Sequence, residues 1–216
     1  FAERPQMEQL QTDGLAIVGS TLADGINAAR IQISGNLTLN GSKVDGKVAL
    51  SGSDIKGHLS CTQATLRNPE ASAFKAQGMK VASSVLMEGT TASGQVSLLG
   101  AQIGGQLVAI GAAFHNPEGH ALNVQSAQIH GDVFLRYAQA DGVVSVMGAE
   151  VGGVFDCSHA ALRTTHGDAL NAQRLIVREG FIWRRLRDVV GVVDLTSAHV
   201  GDLWDDPESW AMCDGL

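Results

Sequence analysis

Gly94-Gln-Val-Ser-Leu-Leu-Gly-Ala-Gln-Ile-Gly-Gly-Gln-Leu107 is the stretch on which the reading of this chain turns. It returns, with substitutions, as Gly46-Lys-Val-Ala-Leu-Ser-Gly-Ser-Asp-Ile-Lys-Gly-His-Leu59, as Gly142-Val-Val-Ser-Val-Met-Gly-Ala-Glu-Val-Gly-Gly-Val-Phe155 and as Gly191-Val-Val-Asp-Leu-Thr-Ser-Ala-His-Val-Gly201. The copies start 48, 48 and 49 residues apart, so the chain is an array of one unit. Taken alone the stretch reads as a Gly-rich phosphate loop. Its recurrence makes the glycines punctuation between repeated strands.

From Leu15 onward the apolar residues keep an eleven-residue rhythm, apolar at places 1, 3, 6 and 8 and often Gly at place 10. Each register reads as two very short alternating strands, as in Val48-x-Leu50 and Ser53-x-Ile55, because a period of two is a strand and not a helix. Such strands pair only by stacking on their equivalents in the coils above and below, which describes a β-solenoid. Two registers make a coil of about 22 residues, and the seventeen registers imply about eight coils and a rod of about 40 Å at one inter-strand spacing per coil. The 48-residue unit holds four registers and a four-residue insertion, seen as Arg67-Asn-Pro-Glu-Ala71, His115-Asn-Pro-Glu-Gly119 and Arg163-Thr-Thr-His-Gly167. Turn residues make these loops, and their common phase puts them on one edge of the rod. Residues 1–12 are expected as an N-terminal lead-in or cap, either a short helix or a frayed segment. Residues 13–204 are the all-β solenoid, a parallel β-helix with short edge loops, and 205–216 a C-terminal cap or truncated continuation. Starting at Phe1, the chain reads as an excised piece of something longer.

Composition fits this reading. Among 216 residues, 26 are Gly and only 5% are aromatic, so a core of Val, Ile, Leu and Ala suits narrow stacked turns. A net charge of −7 argues against a nonspecific grip on nucleic acid. The three cysteines, Cys61, Cys157 and Cys213, form neither a disulfide framework nor a zinc pattern. Cys61 and Cys157 share one inward place in two repeats, and a reducing, cytoplasmic setting is expected. No apolar run is long enough to cross a membrane, so any membrane association would come from regions outside this piece.

The Gly-x-Val-x-Leu-x-Gly-Ala-x-Ile and Ala-Leu-x-Ala runs resemble a right-handed β-helix repeat family loosely related to pentapeptide-repeat proteins, of an actinobacterial type sometimes labelled membrane-associated oxidoreductase. The resemblance covers nearly the whole chain and implies a right-handed coil. The residues contain no Gly-x-Gly-x-x-Gly opening a helix and no redox cysteine pair, so the oxidoreductase activity does not carry over.

Two surfaces concentrate chemistry. The loop edge holds His115, Glu118, His120, His166 and Asp168, residue types that serve metals or acid–base work when they converge and solvated loops when they do not. A basic patch is expected from Arg136, Arg174, Arg178, Arg184, Arg185 and Arg187, with Arg136 and Arg184 one 48-residue unit apart. Asp156 is expected to face solvent beside an inward, inert Cys157. The function expected is a structural or protein-interaction module without catalysis, metal or cofactor, acting through a protein partner or self-association. The alternatives are an enzyme or carbohydrate-binding β-helix using the loop edge, and an acidic DNA-mimic rod.

Overall fold

The computed structural model describes residues 3–213. Most of its strands are two or three residues long, the others seven to eleven, and every strand pairing is parallel, each with its equivalent one coil away. Four faces run the length of the rod. The first is built from Gln11–Thr12, Gln32–Ile33, Asp54–Ile55, Lys80–Val81, Gln102–Ile103, Gln128–Ile129, Glu150–Val151 and the leading parts of Ile176–Trp183 and His199–Asp205, nine rungs in all. The second follows within three residues, from Leu15–Ala16 through Leu59–Ser60 and Leu107–Val108 to Phe155–Asp156 and the trailing parts of those same two long strands. The third and fourth faces are short separate strands at first, Thr21–Leu22 and Ile26–Asn27. They merge into strands such as Thr65–Lys75, Ala113–Asn123 and Ala161–Asn171 that carry the chain around the corner between them.

The insertions lie at that corner, where pairing skips from Arg67 to Ser72, from His115 to His120 and from Arg163 to Asp168 against the plain coil that follows each. Each inserted loop is braced and then covered. Asn68 Nδ2 donates to Ser72 O at 2.9 Å and Asn116 Nδ2 to His120 O at 2.9 Å. The next coil passes beneath with a glycine. At Gly94, φ is +106° and a Cβ would lie 2.1 Å from Asn68 O. The opening glycine of the repeat is therefore required both by backbone conformation and by contact with the loop.

One apolar column fills the interior. Ile33, Ile55, Val81, Ile103, Ile129, Val151 and Val177 stack on the first face, and Leu37, Leu59, Val85, Leu107, Val133, Phe155 and Phe181 on the second, all at most 2% exposed. Cys61 and Cys157 point into this column. The rod is one coil longer than the apolar rhythm implies, because Gln11–Thr12 already forms a first-face rung ahead of Leu15. The stretch before it is extended rather than helical: Met7 N donates to Asn27 O and Asn27 N to Pro5 O, adding a fourth-face rung.

At the other end the helix Pro207–Ala211 lies across the last coil. Asp206 caps it by accepting from Ser209 N at 2.7 Å, and the helix seats Trp210 against Trp183 with ring centroids 5.4 Å apart. Trp183 continues a stack with Phe181 and Phe155. Beyond it, Leu203 and Trp204 remain 46% and 45% exposed on the last rung. Among the described residues no helix is long and apolar enough to cross a membrane.

Candidate functional site

The first face has two outward columns. One runs Gln11, Gln32, Asp54, Lys80, Gln102, Gln128, Glu150 and Ile176, set by the rung-to-rung register. The other, two residues further along each coil, runs Asp13, Ser34, Lys56, Ala82, Gly104, His130, Gly152 and Arg178. Small residues in the middle of the second column leave the face hollow. Three concavities result, of about 540, 220 and 330 Å³. The first and second share Asp54 and Lys56, and the second and third share His130. They join into one trough spanning eight rungs, about 34 Å at one inter-strand spacing per coil.

The trough offers an amide, a carboxylate or a cation at every coil. Lys56 Nζ binds Asp54 at 2.8 Å, and its distal third brings His130, Glu150 and Arg178 to one hollow. Because the strands beneath are paired on both sides, a ligand here meets side chains and not a free backbone edge. Such a surface suits an extended polar chain. The recurrence of Gln at 32, 102 and 128 is the sequence signal for it, but in isolation it reads as an ordinary solvated face.

The loop edge is brought together only in part. His115 Nδ1 lies 3.2 Å from Asp141, and Arg163 Nε donates to Asp188 at 2.6 Å. Glu118 and His166 line one hollow of about 90 Å³ with Pro117 and Thr165, whose hydroxyl reaches Pro117 O at 3.5 Å. His120 is half-buried against Gln125, and burial lowers its pKa. Asp168 is occupied in accepting from Asn171 Nδ2 at 2.8 Å. Among the described residues no three His, Cys, Asp or Glu side chains are placed to hold a metal ion.

The arginines divide among three places. Arg178 lies in the trough, Arg174 at the corner between the fourth and first faces with φ +55°, and Arg136, Arg184, Arg185 and Arg187 around the corner between the second and third. Asp156 is not solvent-facing. It is 6% exposed, flanked in its outward column by Phe134 and Ile182 and approached by Arg136 Nε at 3.6 Å. Burial pushes the Cys61 thiol up to about 12 and raises Cys157 as well, with the Asp156 charge adding to the latter, so neither is a ready thiolate.

Comparison with protein-family models, with curated proteins and with solved structures finds no match for this chain.

Proposed function

We propose that the chain is a non-catalytic interaction module, a rigid solenoid that binds an extended polar partner along its first face. The observation that carries this is the continuity of the trough across Asp54, Lys56 and His130. A rod whose coils are locked by parallel pairing on all four faces holds such a surface preorganised, which reduces the ordering cost of binding. The repeat resembles that of β-helix proteins loosely related to the pentapeptide-repeat type, which accords with such a module, and the buried thiols of Cys61 and Cys157 fit a reducing cytoplasm.

The test is an array of extended glycans and peptides probed with the native rod and with two variants. Ala82→Arg fills the middle of the trough from an exposed position, and Thr165→Arg places the same charge on the exposed loop edge away from it. Binding lost only in Ala82→Arg supports the reading. Equal binding by both variants, or turnover of a bound polymer, contradicts it.

A further inference from the structure

The corner between the second and third faces carries one left-handed residue per coil, and from Gly89 onward these are Gly89, Gly111, Tyr137, His159 and Arg185. Backbone bonds from Gly89 N to Ile110 O, Gly111 N to Arg136 O and Tyr137 N to Ser158 O hold successive corners in one column. Side chains in the column stack: the Tyr137 and His159 rings lie 4.7 Å apart and 2° from parallel. On its other side, Tyr137 faces the place of Gly111, where a Cβ would meet nothing within 4 Å. A slot one coil deep is therefore open against a ring that is 51% exposed.

Two arginines lie at the same corner. Arg136 lies over Phe134 at 4.8 Å, its side chain 41% exposed, and its enclosed Nε has no hydrogen-bond partner. From two coils away, Arg187 donates from one terminal nitrogen to Tyr137 O at 3.0 Å and to Ala138 O at 3.4 Å. The nearest counter-charge, Asp156, is buried beneath Arg136. An exposed ring with one open face, and two arginines at the same corner, favour a planar ring joined to an anionic group.

We infer that Tyr137, Arg136 and Arg187 form a second binding site, separate from the trough, for a nucleotide whose base enters the Gly111 slot and whose phosphate meets the arginines. One base and one phosphate suffice, so the net charge of −7, which opposes a nonspecific grip on nucleic acid, does not oppose this site.

Calorimetric titration of the full chain with AMP, adenosine, ribose 5-phosphate and a short oligodeoxyadenylate tests it. AMP binds saturably, and adenosine and ribose 5-phosphate each bind about tenfold more weakly or worse. Gly111→Asn fills the slot with a residue that tolerates the left-handed conformation, and Tyr137→Asn removes the platform without adding backbone strain. Both weaken AMP by about tenfold or more, while Gly89→Asn, the same change one coil further along, leaves binding as in the native chain. Unchanged melting of Gly111→Asn and Gly89→Asn excludes unfolding as the cause. An oligonucleotide that binds well above AMP assigns the base to single-stranded nucleic acid, and one that matches it assigns a free nucleotide. No saturable heat with AMP or oligonucleotide, or equal AMP binding by Gly111→Asn and Gly89→Asn, overturns the site.

Discussion

Two glycines in the stretch that opens the repeat have positive φ for different reasons, and alanine substitution separates them. At Gly100, φ is +62° and an added Cβ meets nothing within 4 Å. Alanine there costs the left-handed conformation, about 1–2 kcal/mol, less about 0.4–1 kcal/mol from a narrowed unfolded ensemble, so the net loss is about 1 kcal/mol. At Gly94, φ is +106°, outside the left-handed well, and the Cβ would lie 2.1 Å from Asn68 O and 2.6 Å from Ala71 O. Backbone strain of about 1–3 kcal/mol adds to overpacking of about 1–3 kcal/mol as the inserted loop is lifted, for a loss of about 4 kcal/mol. Urea unfolding gives the difference. Native-state hydrogen exchange localises it, because a solenoid opens coil by coil: Gly94→Ala frees the amides of Arg67 through Ser72 first. Equal losses for the two variants, or unchanged exchange in that loop, would refute the packing described between insertion and corner.

Other consequences are open to measurement. Asp156→Ala removes the acceptor of Ser158 N at 2.8 Å and the carboxylate facing Arg136, and unfolding experiments should register a loss of about 1–3 kcal/mol. Hydrogen bonds from Gln173 hold the Asp194 carboxyl below the usual range, and those from Ser209 do the same for Asp206. Their stabilisation is present above the unfolded value, about 3.9, and fades as pH falls through the lower native values. Melting temperature should thus drop below about pH 4, less steeply in the double variant Asp194→Asn, Asp206→Asn; an identical slope would remove these two groups from the account. With iodoacetamide at neutral pH, the native chain should be alkylated at the partly exposed Cys213 and spared at Cys61 and Cys157, as peptide mapping will show. Labelling of Cys157 at the rate of the unfolded chain would contradict its enclosure.

The architecture was legible because burial in a solenoid is periodic. The eleven-residue rhythm from Leu15 marks the inward columns, and the equivalence of Cys61 and Cys157 follows from the repeat alone. The rung at Gln11–Thr12 escaped that reading because it presents polar Gln11 and half-buried Thr12, and only its hydrogen-bonded place under Gln32–Ile33 marks it as a strand. Asp156 is buried although alternation puts it outward, because alternation tells which side of a strand a residue occupies and not what its neighbours one coil away do. Here Phe134, Ile182 and Arg136 cover the outward side. The insertions share a phase but their histidines do not share a direction, since His115 turns to Asp141 and His120 to Gln125. Tyr137 and His159 are 22 residues apart, one coil, and that spacing is the signal from which their stacking could have been read.

The claim that the first face is the interaction surface is tested most directly by covalent footprinting of the rod, free and saturated with its strongest array ligand. Protection should run along Gln32, Lys56, Lys80, Gln102, Gln128 and Arg178 over successive coils, leaving the loop residues 163–168 and the exposed Trp204 as reactive as in the free rod. Protection confined to the loop edge or to the last rung, with the trough unchanged, would contradict it.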